Sequence, residues 1–186
     1  DAQYDLNGKR LELLNEVLPK VSRMAGLVDA AAKMAPNMWK QAQITAKDRG
    51  LRFRILEVRG PNPDFEGLFR TARNERIGAL IISSQPGIVP HRKRFVELAA
   101  KNRMPAIYSS SEFVDAGGLM SYGVNYADLS RRAVTYVDKI LKGAKPADLP
   151  VELPMKFEFI INLKAAKQIG VTIPPNVLMR ADRVIK

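Results

Sequence analysis

Four short apolar runs recur about every 27 residues, and this rhythm constrains the fold more than any other feature of the sequence. The spacing is close to the length of one strand–helix unit with short loops. Near-continuous apolar runs are typical of strands that are buried on both faces. The pattern therefore predicts an α/β fold, a doubly wound parallel sheet with right-handed crossovers. The predicted strands cover residues 23–28, 51–58, 78–82 and 105–108.

The segments between these runs have helical spacing and recognisable helix starts. Leucines at 11, 14 and 18 lie on one predicted helix face. Asp64 is placed to cap one helix, and Pro90 suits the first turn of another. Ser109-x-x-Glu112 predicts a capping box.

The strand–helix rhythm changes after residue 118. The sequence there predicts a strand, an amphipathic helix, a proline-containing connector, a second strand, and a helix capped by Asn162. One or two further helical turns are expected in the tail. These segments cover residues 119–122, 126–142, 145–154, 157–161, 162–168 and 174–186.

Composition and motifs exclude several classes of function. The chain has no cysteine and one histidine, which excludes disulfides, thiol catalysis and histidine-rich metal sites. No phosphate-binding loop or nucleophile elbow occurs, so we expect no enzyme, no cofactor and no metal. The net charge is +11, but the basic residues form only short clusters that are scattered along the chain. They predict a solvated surface and no nucleic-acid site.

Polar side chains follow the predicted strands at their carboxyl ends. Open α/β sheets bind ligands at that edge, and hydroxyl and amide groups can hold a compact polar ligand there. The same residues are equally suited to capping helices and turns. His91 lies at a helix start, where it either contacts a ligand or is a partly exposed surface residue. The candidate ligand-binding residues from this edge are Asp29, Ser84, Gln85, Tyr108, Ser109 and Ser110.

The last third of the chain resembles bacterial ABC-transporter substrate-binding proteins. The resemblance rests on four pieces, which are residues 112–123, 136–146, 157–164 and 170–175. Upstream, residues 8–23 look like the family's opening helix and strand. The resemblance implies a two-lobed receptor of the periplasmic-binding-protein type I-like fold, in which a small solute binds between the lobes.

The resemblance further implies that the family's proteins are longer, and that this chain corresponds mainly to their second lobe, with most of the first lobe outside it. The resemblance implies three segments: a Rossmann-like lobe over 8–118, a crossover strand and helix over 119–146, and a return segment over 147–186. The helix would normally pack on the missing lobe. We therefore expect it to dock against a second copy of this chain, or to fold back onto its own sheet.

The expected function is that of the substrate-binding component of an ABC importer. This component captures a small solute between two lobes by hinge closure. One branch of the family is associated with amino acids. Tyr122, near the crossover, joins the candidate ligand-binding residues because it can stack on a solute or hydrogen-bond it. The resemblance also implies an ABC permease partner and a periplasmic or lipid-anchored location. The alternative is the effector-sensing domain of a transcription regulator with the same fold. The sequence does not identify the solute.

Overall fold

The computed structural model describes residues 2–31, 35–154 and 156–186. The strands in these ranges are β1 (Arg23–Asp29), β2 (Arg52–Val58), β3 (Ala79–Ile82), β4 (Ala106–Tyr108), β5 (Met120–Val124), β6 (Phe157–Asn162) and β7 (Arg183–Ile185). The helices are α1 (Ala2–Val17), α2 (Ala35–Met38), α3 (Lys40–Asp48), α4 (Phe65–Asn74), α5 (Arg92–Lys101), α6 (Ser111–Asp115), α7 (Tyr126–Leu141), α8 (Leu163–Ile169) and α9 (Pro175–Leu178). No helix in these ranges combines the length and the apolarity that a membrane span requires.

All seven strands form one sheet in the order β2-β1-β3-β4-β5-β6-β7. Strands β1 to β5 are parallel, which confirms the predicted doubly wound α/β fold. Strand β6 departs from the parallel direction of β1 to β5, because it runs antiparallel to β5, and β7 runs parallel to β6. The chain leaves the sheet at the carboxyl end of β5 and returns at the same edge, so β6 has to run in the opposite direction.

Helices cover both faces of the sheet, and each face has its own apolar core. On one face α1 and α3 bury Leu11, Leu14 and Ala42 against β1, β3 and β5. On the other face α4, α5 and α6 bury aromatic side chains, among them Phe65 and Phe95. The two layers explain why the central strands are apolar along their whole length.

Helix caps follow the sequence in two places and depart from it in a third. The side chains of Asp64 and Asn162 accept hydrogen bonds from Gly67 N (2.8 Å) and Ala165 N (3.1 Å), as predicted. The capping box at Ser109 is wrong, because Ser110 is the residue that caps α6. The tail forms the short helix α9 as expected, and also strand β7, which was not predicted.

The segment from α7 to residue 156 is an excursion from the sheet. Val124 at the end of β5 pairs with Phe157 at the start of β6, and Asn125 N donates to Lys156 O at 3.0 Å. Between these two points α7 buries none of its side chains. The predicted fold-back of this helix onto the sheet is therefore absent from the structure. The expected boundary at residue 118 also lies inside the sheet, because β5 pairs with both β4 and β6.

Candidate functional site

The carboxyl ends of β1, β3, β4 and β5 form one continuous edge. Leu27 pairs with Ile82, Ile82 with Tyr108, and Tyr108 with Ser121, so the four strands end at nearly the same level. The residues after these pairs therefore lie side by side along the edge. This register places six of the seven predicted ligand-binding residues in or beside one polar row: Asp29, Ser84, Gln85, Ser109, Ser110 and Tyr122.

Gln85 connects β1 to the loop after β3. Its Oε1 accepts from Asp29 N at 2.8 Å, and its Nε2 donates to Leu27 O at 2.9 Å. The side chain is buried, so its amide groups are used inside the protein. Gln85 thus fixes the shape of the edge and does not present a free amide to a ligand.

A pair of serine hydroxyls links the loops after β3 and β4. Ser109 Oγ accepts from Ser84 N at 2.7 Å and lies 2.8 Å from Ser84 Oγ. Ser109 is buried whereas Ser84 is exposed. Ser110, the next residue, is half-buried, and its hydroxyl accepts from Glu112 N at 3.4 Å. Ser84 therefore offers the most accessible hydroxyl of this row.

Asp29 brings a carboxylate to the row. Its Oδ1 accepts from Ala31 N at 3.0 Å, and only 8% of the residue is exposed. A Cβ atom on Gly87 would lie 2.3 Å from Asp29 Oδ2, so only glycine lets the loop after β3 approach the carboxylate this closely. Gly123 plays the same part at the next strand end, where a Cβ would lie 1.9 Å from Ser109 O.

Tyr108 lies outside the row. It is 1% exposed, stacks on Phe113 with ring centroids 4.8 Å apart, and contacts Phe95 edge-on. Burial raises the pKa of its phenol far above the ordinary value of 10. The alternation of β4 turns this ring towards the core under α5 and α6, so we leave Tyr108 out of the proposed site.

Tyr122 is half-buried on the face of the sheet opposite to Tyr108, near the start of the excursion. Its ring packs against Phe157 and Phe159 with centroid distances of 6.1 and 6.3 Å. Its carbonyl oxygen accepts from Arg10 Nε at 2.7 Å. The scattered basic residues predict a solvated surface, and Arg10, in the Lys9-Arg10 pair, departs from that prediction because it is fully buried.

Arg10 belongs to a buried polar network that the sequence did not reveal. Desolvation lowers its pKa to about 10, against an opposing effect of Tyr122 and Tyr126, so the guanidinium keeps its charge at neutral pH. In this network Arg10 Nη1 donates to Asn7 Oδ1, and Ser83 Oγ donates to the same oxygen. The available signal was the i, i+3 spacing of Asn7 and Arg10 on the leucine-bearing side of the helix.

His91 lies at the outer end of the row. Its Nε2 is 2.8 Å from Pro61 O, and its ring meets Phe65 edge-on at 6.1 Å. These contacts attach the loop after β2 to the start of α5. Among the described residues no group of three acidic, histidine or cysteine side chains could hold a metal ion.

No residue of the polar row lines either of two grooves on this chain, although the second reaches Val58, which pairs with Asp29. One of about 370 Å³ runs between α7 and residues 146–153, and another of about 590 Å³ runs between β2 and α4. The row is an open edge and not an enclosed cavity. An open edge suits a solute that would be closed in by a second surface.

Comparison with known proteins places the chain in a family. A model described as ABC transporter substrate binding protein matches residues 4–185. No curated protein matches the sequence significantly.

Three solved structures share the fold. A conserved domain protein from Vibrio cholerae has a TM-score of 0.82 and 22% identity over 96% of this chain and 60% of its own. An ABC domain in complex with L-Trp from Streptococcus pneumoniae has a TM-score of 0.81 and 26% identity over 96% of this chain and 62% of its own. A LacI family transcriptional regulator from Bifidobacterium animalis has a TM-score of 0.60 and 16% identity over 84% of this chain and 59% of its own. The chain thus spans about three fifths of the length of these proteins.

Proposed function

We propose, from the premise that this chain belongs to the ABC transporter substrate-binding protein family, that it is one lobe of a receptor for a small solute. The observation that carries the proposal is the polar row, in which the exposed Ser84 hydroxyl and the Asp29 carboxylate lie at the carboxyl ends of adjacent strands. Ligands bind at this edge of open α/β sheets. The receptor would deliver its solute to the permease of an ABC importer.

The path of the chain supports capture between two lobes. The start of α1, the end of β5 and the start of β6 all lie at the carboxyl edge, where Asn7 contacts Ser83 and Asn125 contacts Lys156. A second lobe joined at these points would face the polar row. Closure of the two lobes about these crossings would then enclose the solute.

The proposed solute class is an amino acid. The support is the 26% identity to a domain whose structure contains L-Trp, together with the chemistry of the row. The Asp29 carboxylate suits an α-ammonium group, and the Ser84 hydroxyl suits a carboxylate or a second polar group. Tyr122 lies at the same edge, where a half-buried ring could line the side-chain pocket.

The test is an NMR-detected titration of the chain with L-tryptophan. One lobe lacks the contacts of the other, and a loss of roughly 3 kcal/mol makes binding about 100-fold weaker than in a two-lobe receptor. Saturable weak binding is the expected result. Ser84→Ala should weaken it about threefold to tenfold, the worth of one hydrogen bond.

Ser22→Ala is the matched control, because Ser22 is an exposed serine at the opposite edge of the sheet, before β1. It should leave the affinity unchanged. Equal effects of the two substitutions, or no binding of any amino acid at millimolar concentration, would contradict the proposal.

The alternative is the effector-sensing domain of a transcription regulator. The resemblance to the LacI family regulator favours it, but at 16% identity that likeness concerns the fold alone. The gene of the full-length protein separates the two functions. A signal peptide ahead of this region supports an exported receptor, periplasmic or lipid-anchored, and a helix-turn-helix supports the regulator.

We also propose that copies of this chain pair through α7. Its outer stripe exposes Val134, Val137 and Leu141, which are 67%, 55% and 81% accessible. A contiguous apolar stripe on a soluble protein usually binds a partner. In a longer receptor the first lobe would occupy the same face.

A further inference from the structure

Two buried polar side chains of α1 join segments that are far apart in the sequence. Asn7 and Arg10 are both 0% exposed. Between them they contact the loop after β3, the end of β5 and the end of α2. Two of these segments, the loop after β3 and the end of β5, border the polar row, so the network adjoins the row.

The chemistry of the guanidinium fixes the orientation of the Asn7 amide. Arg10 Nη1 lies 2.7 Å from Asn7 Oδ1, and a guanidinium has only donors, so this atom must be the amide oxygen. Asn7 Nδ2 is then free to donate to Met38 O at 2.7 Å. Ser83 Oγ donates to the same oxygen at 3.0 Å. One amide thus holds α1, β3 and α2 in a single arrangement.

Arg10 extends this arrangement to β5. Its Nε donates to Tyr122 O at 2.7 Å, two residues before β5 ends and the chain departs into α7. Ser83 immediately precedes Ser84 and Gln85, which shape the polar row. A continuous path of short hydrogen bonds therefore runs from the row to the segment that leaves the lobe.

We propose that Asn7 and Arg10 are positioning residues for the solute site: they hold the loop 83–85 and the exit of β5 as one unit. A solute that shifts the loop would then shift the start of α7 with it. That a solute occupies the row rests on the function proposed above, whereas the mechanical link does not.

The choice of residues supports a positioning role over simple packing. Apolar side chains of similar volume would fill the same space without desolvating a charge, and such replacements are often neutral or stabilising. A fully hydrogen-bonded buried network, in contrast, specifies one relative placement of the segments that it joins. Here those segments are the row and the exit of β5.

Residue-resolved amide hydrogen exchange on the unliganded chain tests the link. In Arg10→Met the amides of Ser84, Ile88 and Asn125 should exchange at least about tenfold faster, because two strong hydrogen bonds are lost. Amides of β2 and α4 should keep their rates. Arg10→Lys keeps the charge but not the fixed spacing of the Nε and Nη1 donors, so it should restore part of the protection.

Two serine substitutions keep the test sharp if Arg10→Met does not fold. Ser83→Ala cuts only the bond between the loop and Asn7, so it should speed exchange at Ser84 and Ile88 but not at Asn125. Ser121→Ala is the control, since Ser121 is also a buried serine, at the second position of β5. This control substitution should leave the exchange rates of Ser84, Ile88 and Asn125 unchanged.

Three results would overturn the proposal: faster exchange confined to α1 in Arg10→Met, equal effects of Ser83→Ala and Ser121→Ala, or a uniform rise that includes β2. Failure of L-tryptophan to bind would refute the proposed function alone, because the exchange measurements contain no solute.

Discussion

Helices α1 and α7 have the same length, 16 residues, and opposite surroundings. Helix α1 buries Leu11, Leu14 and Val17 against the sheet. Helix α7 separates its apolar and polar faces more cleanly than α1 does, yet none of its residues is fully buried. Amphipathic spacing therefore predicts a helix in both cases but predicts the packing partner in neither. What differs is the path of the chain before and after each helix.

The contacts that α7 does make are local and exposed. Tyr136 Oη donates to Pro150 O at 2.7 Å, and Arg132 pairs with Glu152 at the same distance. Exposed ion pairs contribute about 0–1 kcal/mol each. The excursion is thus held to itself by weak contacts, whereas α1 is held by the core of the whole lobe.

The sharpest contrast is between equivalent leucine truncations on the two helices. Leu14→Ala removes a side chain that is 0% exposed and should lower the free energy of unfolding by about 2–5 kcal/mol. Leu141→Ala removes one that is 81% exposed in the single chain. It should change the free energy of unfolding of the monomer, measured at a concentration at which copies do not pair, by no more than about 0.5 kcal/mol. Urea denaturation measures both. Similar losses would show that α7 is part of the packed core.

A charge on the outer stripe of α7 tests what covers that helix. Val137→Asp places a carboxylate where two copies are proposed to meet, so it should convert a dimer to a monomer in light scattering. The free energy of unfolding of the monomer should change little, because Val137 is already 55% exposed. Thr135→Asp, on another exposed part of α7, is the control. A monomeric parent chain would contradict the proposed pairing.

Tyrosine ionisation gives a smaller, pH-dependent contrast between the two regions. Burial raises the pKa of Tyr108, and desolvation with the nearby Glu152 carboxylate raises that of Tyr136. A raised pKa in the folded state means that the associated stability is complete below pH 10 and is lost as pH rises through the folded pKa. Tyr136 should therefore ionise above pH 10 without unfolding the lobe, and Tyr108 only when the lobe unfolds.

Phenolate absorbance recorded beside circular dichroism separates the two events. Tyr136→Phe should lower the phenolate absorbance that develops before unfolding by the contribution of one phenol, at the high-pH end of that change. A Tyr136 step that coincides with loss of the sheet would mean that the excursion and the lobe unfold together.

The sequence predicted those elements of the fold that a local residue pattern determines, and it missed those that depend on distant contacts. The regular strand–helix spacing predicted β1 to β4 and their helices, and Asp64 and Asn162 cap helices as expected. The direction of β6 was not predictable from its own residues, because a strand of this composition can pair in either direction. The route of the chain through α7 determines which direction β6 takes. Strand β7 is only three residues long, too short for a periodic signal.

The sequence predicted which edge of the sheet carries the candidate site, but it did not predict the orientation and burial of each side chain there. Strand ends located Asp29, Ser84 and Ser109 correctly in one row. The alternation of β4 turns Tyr108 into the core. The sequence did not predict this, because a strand of three residues is too short for its alternation to be recognised. The burial of Arg10 was not predictable from local pattern, since it depends on Tyr122, 112 residues away, and on Asn7, which in turn accepts from Ser83.

The most direct test of the account is where a solute binds on this chain. We would record amide chemical shifts through a titration with L-tryptophan. The account predicts that the perturbed amides cluster at residues 29–31, 84–88, 109–112 and 122–125, along the carboxyl edge, with β2, α4 and the outer stripe of α7 unchanged. Perturbations centred on the groove between β2 and α4, or on α7, would contradict it.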